Sequence, residues 1–188
     1  MNEYKRKHPS FSLCGLNCSL CPRYHTDGSS KCPGCGGIDF YLKHPTCAII
    51  TCNKKHDNVD FCFECSSYPC KRYQEPSKVD SFITYKKVIQ DTTEAKTDLD
   101  KYLNNLKKKQ EILIELISNY NDGKSKGFYC LAVNLLPLSV LDCLMDNIKK
   151  NVIIRDINYK EKAKEITNMI KVRASDLNLE LTLRKIKN

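Results

Sequence analysis

Two short motifs near the start of the chain decide its class: residues 18–21 read CSLC, and residues 32–35 read CPGC. A spacer of two residues lets both thiolates of a tight turn point at one ion, about 2.3 Å from zinc. Two such pairs, separated by ten residues, have the form of a four-cysteine zinc knuckle or ribbon. Pro33 and Gly34 supply the tight and adaptable backbone that such a turn uses.

A second group of cysteines follows, and it contains another two-residue spacer between Cys62 and Cys65. Incidental cysteines lie within apolar patterns, whereas these lie in a Cys-rich segment (residues 14–70) that is also rich in Pro, Gly and Lys. We therefore predict that this segment binds metal. The candidate ligands are its ten cysteines: Cys14, Cys18, Cys21, Cys32, Cys35, Cys47, Cys52, Cys62, Cys65 and Cys70.

The candidate ligands do not divide evenly into sites of four. Two four-cysteine sites leave two cysteines over, and Cys14 and Cys47 are the best candidates for that remainder, although either can be a ligand with a neighbour left free. His25, His44 and His56 lie close enough in the sequence to substitute for a cysteine, but each is more often a surface residue. The ligand pairing stays open at this stage.

The composition is that of a soluble globular protein, with 41% hydrophobic and 28% charged residues, and it is too apolar for disorder. No apolar run approaches the roughly 20 residues that span a bilayer. The N-terminal residues are polar and do not resemble a signal segment. We therefore expect a cytoplasmic protein without a membrane partner, in which clustered cysteines are more typical of metal ligands than of disulfides.

The net charge of +9 is weak evidence for nucleic-acid binding. It treats every cysteine as neutral, whereas metal-bound cysteines are thiolates. The lysines follow the solvated faces of predicted helices, and no base-reading motif is present. We expect any nucleic-acid binding to be weak and independent of sequence, and a protein partner, if there is one, is not identified by these residues.

The two parts of the chain differ in their predicted organisation. The Cys-rich segment lacks long apolar periodicities and reads as loops and short turns that cannot bury enough surface to fold unaided. Residues 71–80 resemble a link to a second lobe. We predict a Cys-rich, metal-stabilised lobe with few regular elements over residues 1–75, packed on a mainly helical lobe over residues 76–188.

The second lobe carries clear periodic patterns. Apolar residues recur at helical spacing in three segments, while a short apolar run and a strict alternation of leucines are strand signals. The sequence therefore predicts helices over 99–120, 137–148 and about 160–175, and strands over 127–133 and 177–183. With the two strands paired in a short sheet, the expected fold class is α+β.

Several motifs resemble the bacterial and archaeal family called domain of unknown function 3795. The motifs are CGLNCSLCP at 14–22, CPGC at 32–35, CAIITC at 47–52 and CFECSSYPCK at 62–71. The resemblance continues through KGFYCLA at 126–132 and LLP at 135–137, and so covers most of the chain. It implies zinc binding and no assigned reaction. Ile50 stands where a basic residue is usual in that family.

Three more specific hypotheses compete with that of a structural zinc protein. The spacing of Cys14, Cys18 and Cys21 matches the cluster motif of radical S-adenosylmethionine enzymes, but the chain lacks the length and alternation of their barrel. A 4Fe-4S cluster is the serious rival, because thiolates hold iron–sulfur clusters as well as zinc. A thiol or sulfur-transfer enzyme would use a leftover thiolate, Cys14 or Cys47, activated by metal or lysine.

The sequence favours a non-enzymatic role over an enzyme, and it identifies no catalytic residue. All-cysteine zinc sites are usually closed and structural, whereas a catalytic zinc keeps an open position. Cys130 and Cys143 lie within apolar patterns and are interpreted as core packing. The leading hypothesis is a structural-zinc interaction or adaptor protein with about two zinc ions. The first alternative is an iron–sulfur protein in redox or sensing, and the second is a thiol or sulfur-transfer enzyme.

Overall fold

The protein is described from a computed structural model that covers residues 4–44, 46–74, 79–152 and 158–185. All regular elements of these residues are helical. Three short 3₁₀ turns occur at Cys18–Leu20, Gly28–Ser30 and Cys62–Glu64. The α-helices are α1 (Phe40–Lys43), α2 (Ala48–Lys54), α3 (Lys71–Gln74), α4 (Val88–Thr97), α5 (Leu99–Tyr120), α6 (Lys126–Leu135), α7 (Leu138–Asn151) and α8 (Tyr159–Asp176).

The α+β class predicted from the sequence is wrong, because the described residues contain helices and no strand. The predicted strand over 127–133 lies inside α6. Asp122 stabilises the turn just before this helix, since its Oδ1 accepts hydrogen bonds from the backbone N–H (2.9 Å) and the hydroxyl (2.8 Å) of Ser125. Most of α6 is buried, and a short continuous apolar run does not distinguish a buried strand from a buried helix.

The alternating leucines from Leu177 to Leu183 form no strand in the described part of the chain. Asn178 adopts a left-handed φ of 52° just after α8. The backbone N–H of Leu179 then donates to the carbonyl of Ala174 at 2.8 Å, which closes the end of the helix. The predicted two-stranded sheet is therefore absent from the described residues, since neither of its strands forms there.

The three predicted helices are confirmed. α5 has the predicted bounds, and α7 begins directly after Pro137. α8 begins after Asn158, which forms a capping box with Glu161: Asn158 Oδ1 accepts from the Glu161 N–H at 3.0 Å, and Glu161 Oε2 accepts from the Asn158 N–H at 3.3 Å. α4 and the three short helices before it have no counterpart among the elements predicted from the sequence.

The predicted link over residues 71–80 is described only in part. Its first residues form α3, and residues 75–78 lie outside the described residues. The predicted lobe boundary between residues 75 and 76 therefore stays a prediction.

By its internal contacts the chain forms two compact units. The first unit comprises the residues up to Asn104 together with the segment from Arg184, and the second is Asn105–Leu183. In the first unit, α4 packs on the turn at Cys62–Glu64. The ring of Phe11 lies 5.4 Å from that of Phe61 and 4.8 Å from that of Tyr102, which gives this unit a small aromatic core.

The second unit is a helical bundle with an apolar core. α6 and α7 both pack on α8, and Tyr129 Oη donates to the carbonyl of Tyr120 at 3.0 Å. No described helix of either unit is long and apolar enough to span a membrane. The largest fully buried aliphatic side chains of the second unit are Leu113, Leu116, Leu136, Leu141, Leu144, Ile148 and Ile166.

Candidate metal centre

The loop that carries the first cysteines is shaped by Gly15. This residue has a left-handed φ of 88°, which a residue with a side chain rarely adopts. A Cβ at this position would also lie 2.2 Å from Thr92 Cγ2. Glycine is therefore required between Cys14 and Cys18 for the loop to turn and to approach α4 closely.

Asn17 anchors the same loop through a buried hydrogen-bond network. Its Nδ2 donates to Asp91 Oδ2 at 3.0 Å, and its Oδ1 accepts from Tyr102 Oη at 2.8 Å. All three side chains are buried, and buried polar groups that lose their partners cost about 1–3 kcal/mol. The network therefore fixes the backbone between two candidate ligands.

Arg6 ties together the loops around Cys35. Its guanidinium donates to the carbonyls of Phe11 (2.7 Å) and Asp60 (3.0 Å from Nε), and it lies 4.8 Å from the centre of the Phe61 ring. A weaker bond of 3.4 Å reaches the Cys35 carbonyl. One side chain thus connects three segments that are distant in sequence.

The first thiol group comprises Cys18, Cys21, Cys32 and Cys35, the cysteines of the CSLC and CPGC motifs. Burial raises the pKa of Cys18 well above its usual range, and the neighbouring thiols of Cys35 and Cys14 raise it further. Burial also raises the pKa of Cys21, whose thiol neighbours Cys32. Electrostatic interactions therefore link the thiols of the CSLC motif with those of the CPGC motif, and Cys18 also with Cys14.

Backbone groups beside the sulfurs of this first group oppose the effect of burial on the thiol pKa values. The backbone of Cys35 lowers the pKa of Cys18, and the backbones of Arg23 and Tyr24 lower the pKa of Cys21. The N–H groups of Cys35 and Tyr24 themselves donate to the carbonyls of Pro9 and Cys21, each at 3.0 Å. Polar surroundings of this kind tune metal–thiolate centres.

The second thiol group lines one small cavity of about 30 Å³. A cavity of this size has room for a single water-sized species. Burial raises the pKa of Cys62 to about 12, and the neighbouring thiols of Cys70 and Cys52 contribute to the increase. The lining includes the four thiols of Cys52, Cys62, Cys65 and Cys70.

Cys14 and Cys47 are neighbours outside these two groups of four. Burial raises the pKa of Cys14, and the thiols of Cys35 and Cys47 raise it further. The Cys14 sulfur lies 3.2 Å from Ser12 Oγ. Because Cys14 also raises the pKa of Cys62, it has electrostatic neighbours in both groups.

The three candidate histidines differ in their surroundings. His25 Nε2 is hydrogen-bonded to the carbonyl of Ser19 at 2.6 Å. His44 stacks on Phe40 with ring centres 4.9 Å apart, and burial lowers its pKa, with a smaller effect from Arg23. His56 lines the cavity of the second thiol group, so it is the histidine best placed to substitute for a cysteine.

The chemistry of the thiols suits a metal centre, but the distances between them in this structure are too long for them to bind one ion together. All twelve cysteines are free thiols. Within the described residues, no three Cys, His, Asp or Glu side chains stand close enough together to hold one ion. Four sulfurs around one cavity are nevertheless a donor set suited to a thiophilic ion, and binding requires these side chains to move closer together.

The two cysteines of the second unit have different environments. Cys130 is only 2% exposed, which confirms its interpretation as a core residue. Cys143 is exposed and accepts a long hydrogen bond of 3.7 Å from Asn147 Nδ2, so its interpretation as core packing is wrong. It follows the buried Leu141 on α7 by two residues, which places it on the opposite face of the helix.

Sequence reasoning missed the residues that support the thiols. Gly15 and Asn17 lie inside the CGLNC motif, and their positions between two cysteines were the available signal. Arg6 lies outside the motifs, and nothing in its spacing marks it. Its role depends on neighbours that are distant along the chain.

Comparison with known proteins adds one finding. Residues 10–75 match the model of a family described as protein of unknown function (DUF3795). The resemblance stated from the motifs is therefore confirmed over the segment that holds the ten candidate ligands. No curated protein and no solved structure matches the chain.

Proposed function

We propose that this protein binds two zinc ions through its Cys-rich segment and uses them as structural centres. The observation that carries the proposal is the cavity of about 30 Å³, which four thiols line together. Two of these thiols, Cys62 and Cys65, form a two-residue knuckle, and Cys52 and Cys70 approach from either side in the sequence. This is a four-cysteine donor set of the structural type.

The first thiol group provides the other site. Electrostatic interactions link the thiols of two turns, one with Cys18 and Cys21 and the other with Cys32 and Cys35. The buried thiols favour the neutral form when no cation is near. A divalent ion offsets that preference by stabilising the thiolates, and binding releases their protons.

The energetic role of such ions is large. A structural zinc contributes about 10–16 kcal/mol of apparent binding free energy at neutral pH. That matches the roughly 5–15 kcal/mol that stabilise a whole domain. The Cys-rich segment has only short helices and turns, so the ions supply stability that its apolar core does not.

An iron–sulfur protein in redox or sensing is the second candidate. Its support is the position of Cys14, whose thiol neighbours both Cys18 and Cys35 and completes a closely spaced group of thiols. Zinc is preferred because the cysteines form two separate groups of four, each suited to a tetrahedral ion. A cluster at the first group would need Cys18 and therefore excludes the proposed zinc site there.

A thiol or sulfur-transfer enzyme has less support. The leftover thiol of Cys14 is buried, and burial raises its pKa. A reactive thiolate needs a lowered pKa and partial exposure.

The proposed role is therefore that of an interaction or adaptor protein. The exposed apolar side chains of Ile38 and Leu42, close to the CPGC motif, support it as a surface for a protein partner.

The test is metal analysis of the full chain, purified without oxygen, together with its absorption spectrum. We expect about two zinc ions per chain and a colourless protein, because zinc has a filled d shell. A brown protein with about four irons, acid-labile sulfide and absorption near about 400 nm would support the iron–sulfur candidate instead. Purified protein without bound metal that also takes up no added zinc would overturn the proposal.

Three variants assign the ions to the two groups. Cys65→Ala should lose the second ion and Cys35→Ala the first, because each removes one of four ligands. Cys143→Ala is the matched control, since this thiol is exposed on the second unit. Equal metal content in Cys65→Ala and Cys143→Ala would contradict the assignment of the second site.

A further inference from the structure

Buried polar atoms without a hydrogen-bond partner are concentrated beside the candidate ligands. Three such side-chain atoms occur in the described chain: Tyr4 Oη, Ser19 Oγ and Tyr73 Oη. Ser19 directly follows Cys18, and Tyr4 lies near Cys35, whose thiol raises its pKa after the larger effect of burial. A buried hydroxyl without a partner destabilises the folded chain, so each of these atoms requires an explanation.

Tyr73 has the most informative position of the three. It lies on α3, its side chain is 8% exposed, and it lines the cavity of the second thiol group. Its ring packs edge-on against that of Tyr68, with centres 4.8 Å apart and planes at 68°. The aromatic contact therefore holds the ring at the wall of the four-thiol cavity.

The Cys62 thiol is the neighbour of the Tyr73 hydroxyl. The two residues line the same small cavity, and Tyr73 is the side chain that interacts most strongly with the Cys62 thiol. The two groups are close, yet they do not form a hydrogen bond of normal geometry. A neutral thiol is a weak acceptor, whereas hydrogen bonds to an ionised acceptor are shorter and roughly twice as strong.

We propose that Tyr73 is a positioning residue of the second metal site, and that its hydroxyl donates a hydrogen bond to the thiolate of metal-bound Cys62. This inference rests on the proposed function. It gives the buried hydroxyl an acceptor strong enough to offset its burial. The bond orients the Cys62 sulfur toward the ion and stabilises its thiolate form, as outer-shell donors do at other metal sites.

Tyr68 provides a matched control in the same cavity. Its hydroxyl lies 3.0 Å from Thr92 Oγ1, and Thr92 donates its own proton to the Val88 carbonyl at 2.7 Å. The Tyr68 hydroxyl must therefore be the donor in its bond with Thr92. Its single proton is already used and is not available to a sulfur.

The test compares Tyr73→Phe and Tyr68→Phe in the full chain. Zinc affinity is measured by competition with a chelator. Co²⁺ in place of Zn²⁺ reports the sulfur-to-metal absorption band. Tyr73→Phe should weaken zinc binding about 10- to 100-fold and move the cobalt band to longer wavelength, because the sulfur lone pairs rise in energy when they lose a hydrogen bond. Tyr68→Phe should change neither quantity.

The outcomes separate this inference from the proposed function. If the unsubstituted chain binds no zinc, the proposed function fails and the inference fails with it. If the chain binds zinc but Tyr73→Phe leaves affinity and band unchanged, the inference alone is overturned. A loss of affinity without a band shift, or equal effects of Tyr68→Phe, assigns Tyr73 a packing role and also overturns it.

Discussion

The Cys-rich segment and the helices of the second unit bury their side chains by different means. Between residues 4 and 74, the longest described helix is α2, with seven residues. α6, α7 and α8 of the second unit have 10, 14 and 18 residues. The three buried polar atoms without partners all lie in the first unit, so the two units satisfy their buried groups to different extents.

This difference indicates where an ion is needed. The bundle of the second unit buries amphipathic helices against one another, which is sufficient for helices of this length. The loops of the Cys-rich segment depend on single polar anchors such as Asn17 and Arg6, and on thiols whose burial disfavours their charged form. We therefore expect the two units to respond differently to metal removal and to core substitutions.

Metal removal should have the largest effect, and only on the first unit. Treatment with a strong chelator under reducing conditions should expose the Cys-rich segment to protease, because each structural zinc contributes about 10–16 kcal/mol. Limited proteolysis followed by mass spectrometry identifies the cleaved segment. Cleavage within residues 14–70, with α6, α7 and α8 intact, is the expected pattern.

The control for metal removal is the same digestion after zinc is restored. Protection should return, because the thiolates bind the ion again. Full protease resistance of residues 14–70 in a chain shown to be metal-free would contradict this prediction, and with it the proposed dependence of the first unit on metal.

A core substitution in the second unit should have the next largest effect. Leu144→Ala removes a side chain that is 1% exposed on α7, and such changes cost about 2–5 kcal/mol. Chemical denaturation with far-ultraviolet circular dichroism measures the loss, while zinc content should stay unchanged. Val172→Ala on α8 is the control, since Val172 is 58% exposed. A similar loss in both variants would show that α7 is not part of a packed core.

Asp80 connects the first unit to its distant segment at Arg184, and its loss should have an intermediate effect. The Asp80 side chain is fully buried and receives bonds of 2.8 Å from Arg184 Nη2, the Arg184 N–H and the Tyr85 N–H. Burial alone would raise the pKa of Asp80, but these bonds lower it to about 2. Asp80→Asn should cost about 2 kcal/mol, less than a fully buried pair, because Arg184 is 33% exposed.

The pH dependence of this pair has a definite sign. Because the folded-state pKa is about 2 and the unfolded value is about 3.9, the stabilisation is complete above about pH 4 and is lost as the pH falls toward 2. The stability difference between the unsubstituted chain and Asp80→Asn should therefore shrink over that interval. A difference that stays constant from pH 6 to pH 2 would contradict the ionised pair.

Substitutions of the two cysteines in the second unit should have the smallest effects on stability and none on metal content, in contrast to substitutions of the candidate ligands. Cys130→Ala removes a buried side chain and should cost about 1–2 kcal/mol. Cys143→Ala changes an exposed position and should stay within about 0.5 kcal/mol. Denaturation curves measure both values. Loss of metal from either variant would show that a cysteine of the helical unit is a ligand.

Part of the fold follows from local pattern. The helices α5, α7 and α8 were predictable because their apolar residues recur at helical spacing over several turns, and Asn158 with Glu161 forms a cap within four residues. The run from Gly127 to Val133 was mistaken for a strand, because its apolar residues have no period that separates the two states. The helix there depends on burial by α8, and this contact is not local.

The sequence by itself determined the chemistry of the candidate site. Thiols separated by two residues are close to each other wherever the spacer forms a tight turn, since the turn holds both side chains on one side. The match of residues 10–75 to a family model rests on the same local motifs. These features are short-range, so they can be recognised without knowledge of the rest of the chain.

The tertiary structure alone decided how the cysteines are grouped and what surrounds them. Only the folded chain places Cys52 and Cys70 on one cavity with Cys62 and Cys65, and leaves Cys14 next to Cys47. Tyr73 enters that cavity because its ring packs against Tyr68. Such neighbours depend on long-range packing and on the burial of polar groups. Residues at many different separations along the chain can meet these requirements, so no local spacing reveals which residues will become neighbours.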